Sequence, residues 1–323
     1  MTALPLPSLR DVHLARRRTA GLLRRTPLVQ GEALSEANGA PVYLKLESLQ
    51  ETGAFKLRGA TNRLLCLSEE ERARGVVTVS TGNHGRAVAF AARRLGLRAV
   101  VCLSELVPEN KRAAIRALGA ELCVIGRSQD EAEVEAKRLV QEEGMVYVPP
   151  FDDPHIISGQ GTLGLEIVED LPEVEEVLIP LSGGGLLAGI ALAIKGSLPN
   201  TRVVGLSMER GPAMYHSLQA GKPVAVTEEE SLADSLGGGI GLDNRYTFPL
   251  VRDLVDDVVL LSEAEIAAGM RHLFHEERLV SEGGAAVGVA ALLAGKAGGE
   301  GRTTATIISG CNVDMKAFLA VVS

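Results

Sequence analysis

Leu178-Ile179-Pro180-Leu181-Ser182-Gly183-Gly184-Gly185-Leu186-Leu187-Ala188-Gly189 runs from an apolar stretch through three consecutive glycines into a run of helix formers. Read as strand, tight turn and helix start, it describes one strand-to-helix step of an open α/β sheet. Glycines let backbone N–H groups approach an anion closely, and a helix N-terminus adds a favourable field, so phosphate is the natural ligand. The spacing is not a dinucleotide fingerprint, because Gly183, Gly185 and Gly189 miss G-x-G-x-x-G, and no G-K-[ST] follows to make a P-loop. A mononucleotide or a phosphorylated cofactor suits the segment; a strand–helix turn that binds nothing suits it as well.

Outward from this stretch, short β-rich runs alternate with helical patterns, which argues for βαβ units and parallel sheets. Val177–Leu181, Val203–Leu206, Val258–Leu261 and Thr304–Ser309 read as strands, with helices over Thr162–Asp170, Leu186–Ile194, Glu263–His275 and Ala285–Ala294. An earlier block repeats the pattern with strands Val76–Val79, Ala99–Leu103 and Leu122–Ile125. Between its first two strands, Val88, Ala91 and Leu95 mark a helix face ended by Gly96; between the second and third, Pro108 opens a helix carrying Ile115 and Leu118, ended by Gly119. The turn-rich Val148-Pro149-Pro150-Phe151-Asp152-Asp153-Pro154 marks a boundary, and an early strand at Val42–Glu47 joins the later set. The expectation is a two-domain α/β chain: residues 1–48 with 149–323 form a large unit, and 49–148 an inserted smaller one.

Length and composition narrow the function. At 323 residues, 46% hydrophobic and 23% charged, the chain is of soluble globular type and long enough to bury a core without staples. A net charge of −8 with no basic, aromatic-studded stripe argues against a nucleic-acid partner. Met1 to Arg18 has neither an apolar h-region nor a small-residue cleavage site, and no apolar run is long enough for a bilayer, so we expect a cytoplasmic protein with no membrane partner. Cys66, Cys102, Cys123 and Cys311 match no metal spacing, and Cys102 and Cys123 read as buried, reduced thiols.

Four further segments carry chemistry. In Glu51-Thr52-Gly53-Ala54-Phe55-Lys56-Leu57-Arg58-Gly59-Ala60, a lysine stands beside an aromatic and between glycines; a desolvated amine there is neutral, and neutral amines form Schiff bases. Val79-Ser80-Thr81-Gly82-Asn83-His84-Gly85 gathers hydroxyls, an amide and an imidazole at a strand-to-helix turn, where a carboxylate would be satisfied. The bland alternative is that Ser80 or Thr81 caps the helix and His84 is a solvated first-turn residue. In Ile307-Ile308-Ser309-Gly310-Cys311-Asn312, Ser309 leaves a strand end, where open α/β sheets place ligands. It could bond a heterocycle nitrogen or simply its own turn. In Ser281-Glu282-Gly283-Gly284, a carboxylate sits in a glycine turn ahead of a helix, lining either the site or only the turn.

Together these segments, with Pro150-Phe151-Asp152-Asp153-Pro154 and Gly159-Gln160-Gly161-Thr162, resemble the fold-type II pyridoxal-phosphate enzymes of the serine/threonine dehydratase and serine racemase family. The resemblance runs from about Thr26-Pro27-Leu28 to Asn312, and within the family it is most similar to the dehydratases of hydroxyectoine utilisation. It implies the tryptophan synthase β-like fold, with two open, mostly parallel sheets flanked by helices, and pyridoxal 5'-phosphate as cofactor. Lys56 would carry the cofactor as a Schiff base and act as base at the substrate Cα. Phe55 would pack near the ring, Asn83 would bond its hydroxyl, and Ser309 would meet its nitrogen. Gly183, Gly184, Gly185 and Leu186 would hold the phosphate through backbone N–H groups, with Glu282 beside the cofactor. Ser80, Thr81, Asn83 and His84 would grip the substrate carboxylate.

The implied reaction is α,β-elimination of water from a small β-hydroxy amino acid of L-threonine or L-serine type, giving a 2-oxo acid and ammonia. A hydroxyectoine-derived hydroxy amino acid or 3-hydroxyaspartate is the substrate alternative. A serine- or aspartate-type racemase and a non-catalytic phosphate-ligand binder are the alternatives to elimination. Thr81, where dehydratases usually have a small apolar residue, could return a proton to the second face as a racemase serine does. Glu209 matches one ligand of a divalent-cation site in racemase-type relatives, but the stretch to His216 lacks the partner aspartate, so no functional metal site is expected. No regulatory domain follows the matched region before Ser323, which suggests a catabolic enzyme; relatives imply a homodimer or homotetramer.

Overall fold

Strands form where β-branched and aliphatic residues alternate between two buried faces. In the computed structural model they are β1 (Leu28–Gln30), β2 (Val42–Leu46), β3 (Val76–Val79), β4 (Ala99–Leu103), β5 (Glu121–Val124), β6 (Val146–Tyr147), β7 (Glu176–Pro180), β8 (Arg202–Met208), β9 (Asp257–Leu261) and β10 (Thr304–Ile308). The helices are α1 (Leu9–Thr19), α2 (Glu32–Asn38), α3 (Lys56–Leu65), α4 (Glu69–Arg74), α5 (Asn83–Leu95), α6 (Glu109–Ala117), α7 (Gln129–Glu142), α8 (Pro154–Asp170), α9 (Gly185–Ser197), α10 (Ala213–Ala220), α11 (Thr247–Leu254), α12 (Glu263–His275), α13 (Gly283–Leu293) and α14 (Met315–Val322). The structure describes residues 5–323 apart from Thr81, Pro108 and Glu300, and excludes the side chains of Asn110, Gln129 and Asp130. The roles expected of Thr81 and of Pro108 as a helix opener therefore lie outside the described residues.

The strands make two sheets, as expected: a six-stranded one in the order β1-β2-β10-β7-β8-β9 and a four-stranded one in the order β5-β4-β3-β6. Among the described residues every strand pairing is parallel except β1 with β2. The early strand at Val42 does join the later set, beside β10. In the larger sheet Leu178 and Ile308 face a core shared with α12 and α13, while Val177, Ile179, Ala305 and Ile307 face one shared with α8, α9 and α11. This period-2 division buries both faces, as the parallel part of such a sheet requires. In the smaller sheet Val76 and Val101 face α3 and α5, and Val77, Val100 and Cys102 face α7.

Three details differ from expectation. α8 begins at Pro154, two turns before Thr162, because the Asp153 carboxylate accepts from His155 N (2.8 Å) and Ile156 N (3.0 Å) with proline in the first turn. Glycines 159, 161 and 164 disguised that helix. They are there for packing: a Cβ on Gly161 would stand 2.7 Å from the Gly189 carbonyl, and one on Gly189 2.4 Å from the Ile157 carbonyl, so α8 and α9 cross backbone to backbone. α6 stops at Ala117, before Leu118. Cys102 is buried, but its register partner Cys123 is only half-buried on edge strand β5; both are free thiols. Among the described residues, no helix is long and apolar enough to cross a membrane.

Candidate active site

Three of the segments singled out in the sequence leave the C-terminal ends of β3, β7 and β10, the edge at which parallel sheets bind ligands; the Lys56 segment follows β2, and Glu282 precedes α13. Lys56 is the first residue of α3, and its Nζ donates to the Pro150 carbonyl at 2.8 Å. Its amine lies 5.3 Å from the centroid of the Phe55 ring. Lys56 as a residue is half-buried, but its amine is packed in protein, and burial pushes its pKa from 10.5 down to about 8. An amine held near neutrality can be a nucleophile and a base. Phe55 is fixed by its N–H to the Ser309 carbonyl (3.0 Å) and by an antiparallel bridge between Ala54 and Gly310. The lysine segment and the Ser309 segment thus form one unit, with Ser309 itself buried.

Asn83 opens α5 and is held from two sides. Its Nδ2 donates to both Glu282 carboxylate oxygens at 3.0 Å, and its Oδ1 accepts from Asn312 Nδ2 at 2.7 Å. Glu282 also accepts from Asn312 N at 2.8 Å. Burial raises the Glu282 pKa against the pull of those neutral donors. Asn312 further donates to the Thr52 carbonyl at 2.8 Å and accepts from Arg86 Nη1 at 3.0 Å. In the sequence Asn312 reads only as part of a turn. Its role as hub of residues 52, 83, 86 and 282 depends on long-range contacts that no local pattern announces.

His84 is buried rather than solvated, with Nε2 2.9 Å from the Val148 carbonyl, which makes Nε2 the protonated nitrogen. Burial, then the charge of Lys56, lower its pKa to about 3, so it is neutral at physiological pH. Ser80 does not cap α5: Gly82 is the N-cap residue, and its N–H donates to Ser80 Oγ at 3.3 Å.

The glycine loop is buried and leads into α9 with Gly184 at φ +88°, a conformation glycine adopts without strain. A Cβ on Gly183 would stand 2.4 Å from the Phe151 ring, and one on Gly184 2.8 Å from Met214 Cε. Phe151 therefore forms one wall of the loop. The next residue, Asp152, accepts from the N–H groups of Arg245 (2.8 Å), Tyr246 (2.9 Å) and Thr247 (2.8 Å), capping α11, whose Thr247 and Val251 border Gly184. Leu186 is buried behind the loop. Bare glycine N–H groups at the start of a helix of 13 residues form a cradle suited to phosphate. With an amine of lowered pKa, an oriented amide and a hydroxyl at a neighbouring strand end, the residues present fit pyridoxal phosphate.

Glu209 lies past the end of β8 and is largely exposed, its carboxylate 3.9 Å from Lys296 Nζ. Among the described residues, no group of three or more His, Cys, Asp or Glu is arranged to hold a metal.

The chain is similar to known proteins in sequence and in fold. The chain is 55% identical over 98% of its length to a Sinorhizobium fredii protein named for threonine dehydratase activity, covering 95% of that protein. It is 43% identical to the L-threonine ammonia-lyase of Thermotoga maritima, over 95% of this chain and 76% of that one. Among solved structures, it superposes on maize serine racemase with a TM-score of 0.93 at 33% identity, covering 98% and 97% of the two chains. On the processed form of threonine deaminase isoform 2 from Solanum lycopersicum the TM-score is 0.90 at 34% identity, covering 99% and 96%. Residues 20–310 match the model of the pyridoxal-phosphate dependent enzymes, and this chain belongs to that family, on its fold type II.

Proposed function

We propose that this protein is a pyridoxal-phosphate-dependent threonine ammonia-lyase, converting L-threonine, and L-serine as the smaller homologue, to a 2-oxo acid and ammonia. The observation that carries the reading is the Lys56 amine: packed in protein, bonded to a backbone carbonyl, and lowered to a pKa of about 8. The relatives named above supply the substrate class.

Lys56 would hold the cofactor covalently, with the glycine loop at Gly183, Gly184, Gly185 and Leu186 on its phosphate, Asn83 on its ring hydroxyl, Ser309 at its ring nitrogen and Phe55 and Glu282 alongside. When bound, pyridoxal phosphate supplies an electron sink for charge developing at the substrate Cα. The chain's residues do the rest. Lys56, as a free amine of lowered pKa, would accept the Cα proton as base. Ser80, Thr81, Asn83 and His84 would line the substrate carboxylate; His84, neutral and with its one N–H spent on the Val148 carbonyl, would contribute shape rather than charge or a donor. Ser309 is a neutral hydroxyl and would place no negative charge beside the ring nitrogen, which suits elimination of the β-hydroxyl. Residues 49–148 would form the smaller unit that grips the substrate, and 1–48 with 149–323 the cofactor-bearing unit, in a homodimer or homotetramer.

The likeness to maize serine racemase favours one second reading, racemisation as a side reaction. A hydroxyectoine-derived hydroxy amino acid or 3-hydroxyaspartate is a narrower substrate supported by motif resemblance. A panel of these amino acids, scored for ammonia, 2-oxo acid and D-amino acid, separates the readings. Ammonia from threonine in step with 2-oxobutanoate is the expected result, lost in Lys56→Ala while the protein stays folded. Full turnover in that variant would refute the assignment.

A further inference from the structure

Two residues beyond Lys56, Arg58 is among the largest fully buried side chains of the protein. Its guanidinium grips two carboxylates at once. Nε and Nη2 each reach a Glu47 oxygen at 2.8 Å, while Nη1 and Nη2 reach Glu166 at 2.7 and 2.9 Å. Nη1 also lies 3.2 Å from Thr162 Oγ1. Lys45 completes the cluster, with Nζ 2.7 Å from Glu166 and 2.7 Å from the Thr26 carbonyl. Thr26 Oγ1 donates to Glu47 at 2.5 Å. Burial works against the Arg58 charge, but Glu47 and Glu166 outweigh it and raise its pKa. Two buried cations thus meet two buried carboxylates, and Arg58 joins three elements: α3, the turn after β2, and α8.

Such a cluster is an expensive way to gain stability, since well-packed apolar residues of similar volume often do as well. What it does provide is directional: a planar fork tolerates little rotation or sliding. The interface it spans needs that. Where α3 crosses α8, a Cβ on Gly159 would stand 2.7 Å from Gly59 Cα, and one on Gly59 2.9 Å from the Ile156 carbonyl. Two glycine surfaces face each other, flanked by the side chains of Gln160 and Asn62, so the register there rests mainly on polar ties rather than on large apolar ridges. Further polar ties are Gly59 N to Gln160 Oε1 at 3.2 Å and Asn62 Nδ2 to the His155 carbonyl at 2.6 Å. The crossing sets the distance between the first residue of α3, Lys56, and Pro150, just upstream of α8, whose carbonyl receives the Lys56 amine. A slip of one residue along a helix is about 1.5 Å, enough to break that contact.

We propose that Arg58 is a positioning residue for Lys56: its paired grip on Glu47 and Glu166 fixes the register of α3 on α8, and with it the place of the reactive amine. This rests on the reading that Lys56 carries the cofactor. The test compares wild-type holoenzyme with Arg58→Lys, which keeps the charge but not the fork, with Arg58→Met and with Glu166→Gln. Four things are measured: thermal unfolding, circular dichroism of the visible cofactor band, hydrogen exchange at amides 57–60, and kcat and KM for threonine.

Folded Arg58→Lys and Glu166→Gln should lose kcat by on the order of tenfold to a hundredfold with KM little changed. Their cofactor-band dichroism should alter and exchange in the first turn of α3 should quicken. Folded variants with wild-type kcat and cofactor band would overturn the proposal, as would loss of fold in all three, because the cluster would then be holding the fold rather than the amine. Borohydride fixation of wild-type holoenzyme followed by peptide mapping tests the underlying reading separately. Cofactor fixed anywhere but Lys56 sinks that reading whatever the Arg58 variants do.

Discussion

At Lys56 the chain buries a long basic side chain beside a carbonyl, and at His84 an imidazole beside another; both are moved toward the neutral form mainly by burial. The signs of the resulting stability effects can be worked out. Below about pH 8 the Lys56 amine is charged in both folded and unfolded chains, so folding bears the full cost of burying it. That cost fades as pH rises from about 8 to 10.5. Lys56→Met should therefore stabilise the cofactor-free protein at pH 7 by roughly 2 kcal/mol, after allowing for the lost bond to Pro150, with the gain shrinking toward higher pH. Urea unfolding of both proteins across that range checks it; a variant less stable at pH 7 would mean the amine is better solvated than its surroundings suggest. His84 has its folded pKa lowered from 6.5 to about 3, so its neutral form supports the fold fully above pH 6.5, and that support drains away as pH falls toward 3. His84→Gln should accordingly flatten the acid limb of a stability–pH curve, and the ring of His84 should show no NMR titration between about pH 5 and 9.

At the scale of elements, the glycine loop is shaped by a neighbour rather than by its own sequence. Asp152 collects three backbone N–H groups at the start of α11, and α11 in turn supplies Thr247 and Val251 against Gly184. Asp152→Ala should cost about 2 kcal/mol of stability, at the upper end for a lost helix cap, and weaken cofactor binding, while Asp152→Asn, which keeps an acceptor oxygen, should cost less. Denaturant melts and cofactor titration measure both. Unchanged cofactor affinity in a destabilised Asp152→Ala would show that α11 and the loop are not coupled. This element also shows what the sequence could reveal. Strands were legible because Val76–Val79 or Thr304–Ile308 are rich in β-branched and apolar residues. The helix at Glu263–His275 opens on a capping box at Ser262 and Glu265. The glycine loop and the lysine were legible because their chemistry is local. The first turns of α8 were hidden by glycines whose purpose is contact with α9, and Arg58 gave no sign, since nothing in Lys56-Leu57-Arg58 tells that its partners are 11 residues back and 108 ahead. Asp152 was equally mute, its three donors lying 93 to 95 residues on.

Across the whole molecule, two mostly parallel sheets have separate cores, and a polar network ties the start of α5, on the four-stranded sheet, to segments of the six-stranded one. The Asn83–Glu282–Asn312–Arg86 network makes that tie: Asn83 and Arg86 lie in the first turns of α5, whereas Glu282 precedes α13 and Asn312 follows β10. Each side-chain hydrogen bond is worth about 1 kcal/mol net, and Asn312→Ala removes three: to Thr52, Asn83 and Arg86. That variant should lose roughly 2–3 kcal/mol, with faster hydrogen exchange concentrated at the start of α5 rather than in either core. Asn312→Asp probes the electrostatics of the same tie. It places a second carboxyl beside Glu282, whose pKa burial already raises, and two ionised carboxylates there repel. A protonated Glu282 relieves the repulsion, so the variant's deficit against wild type should shrink as pH is lowered. A deficit that does not change with pH would mean that Glu282 gains no proton in the variant, and that neutral donors alone hold its charge between the sheets.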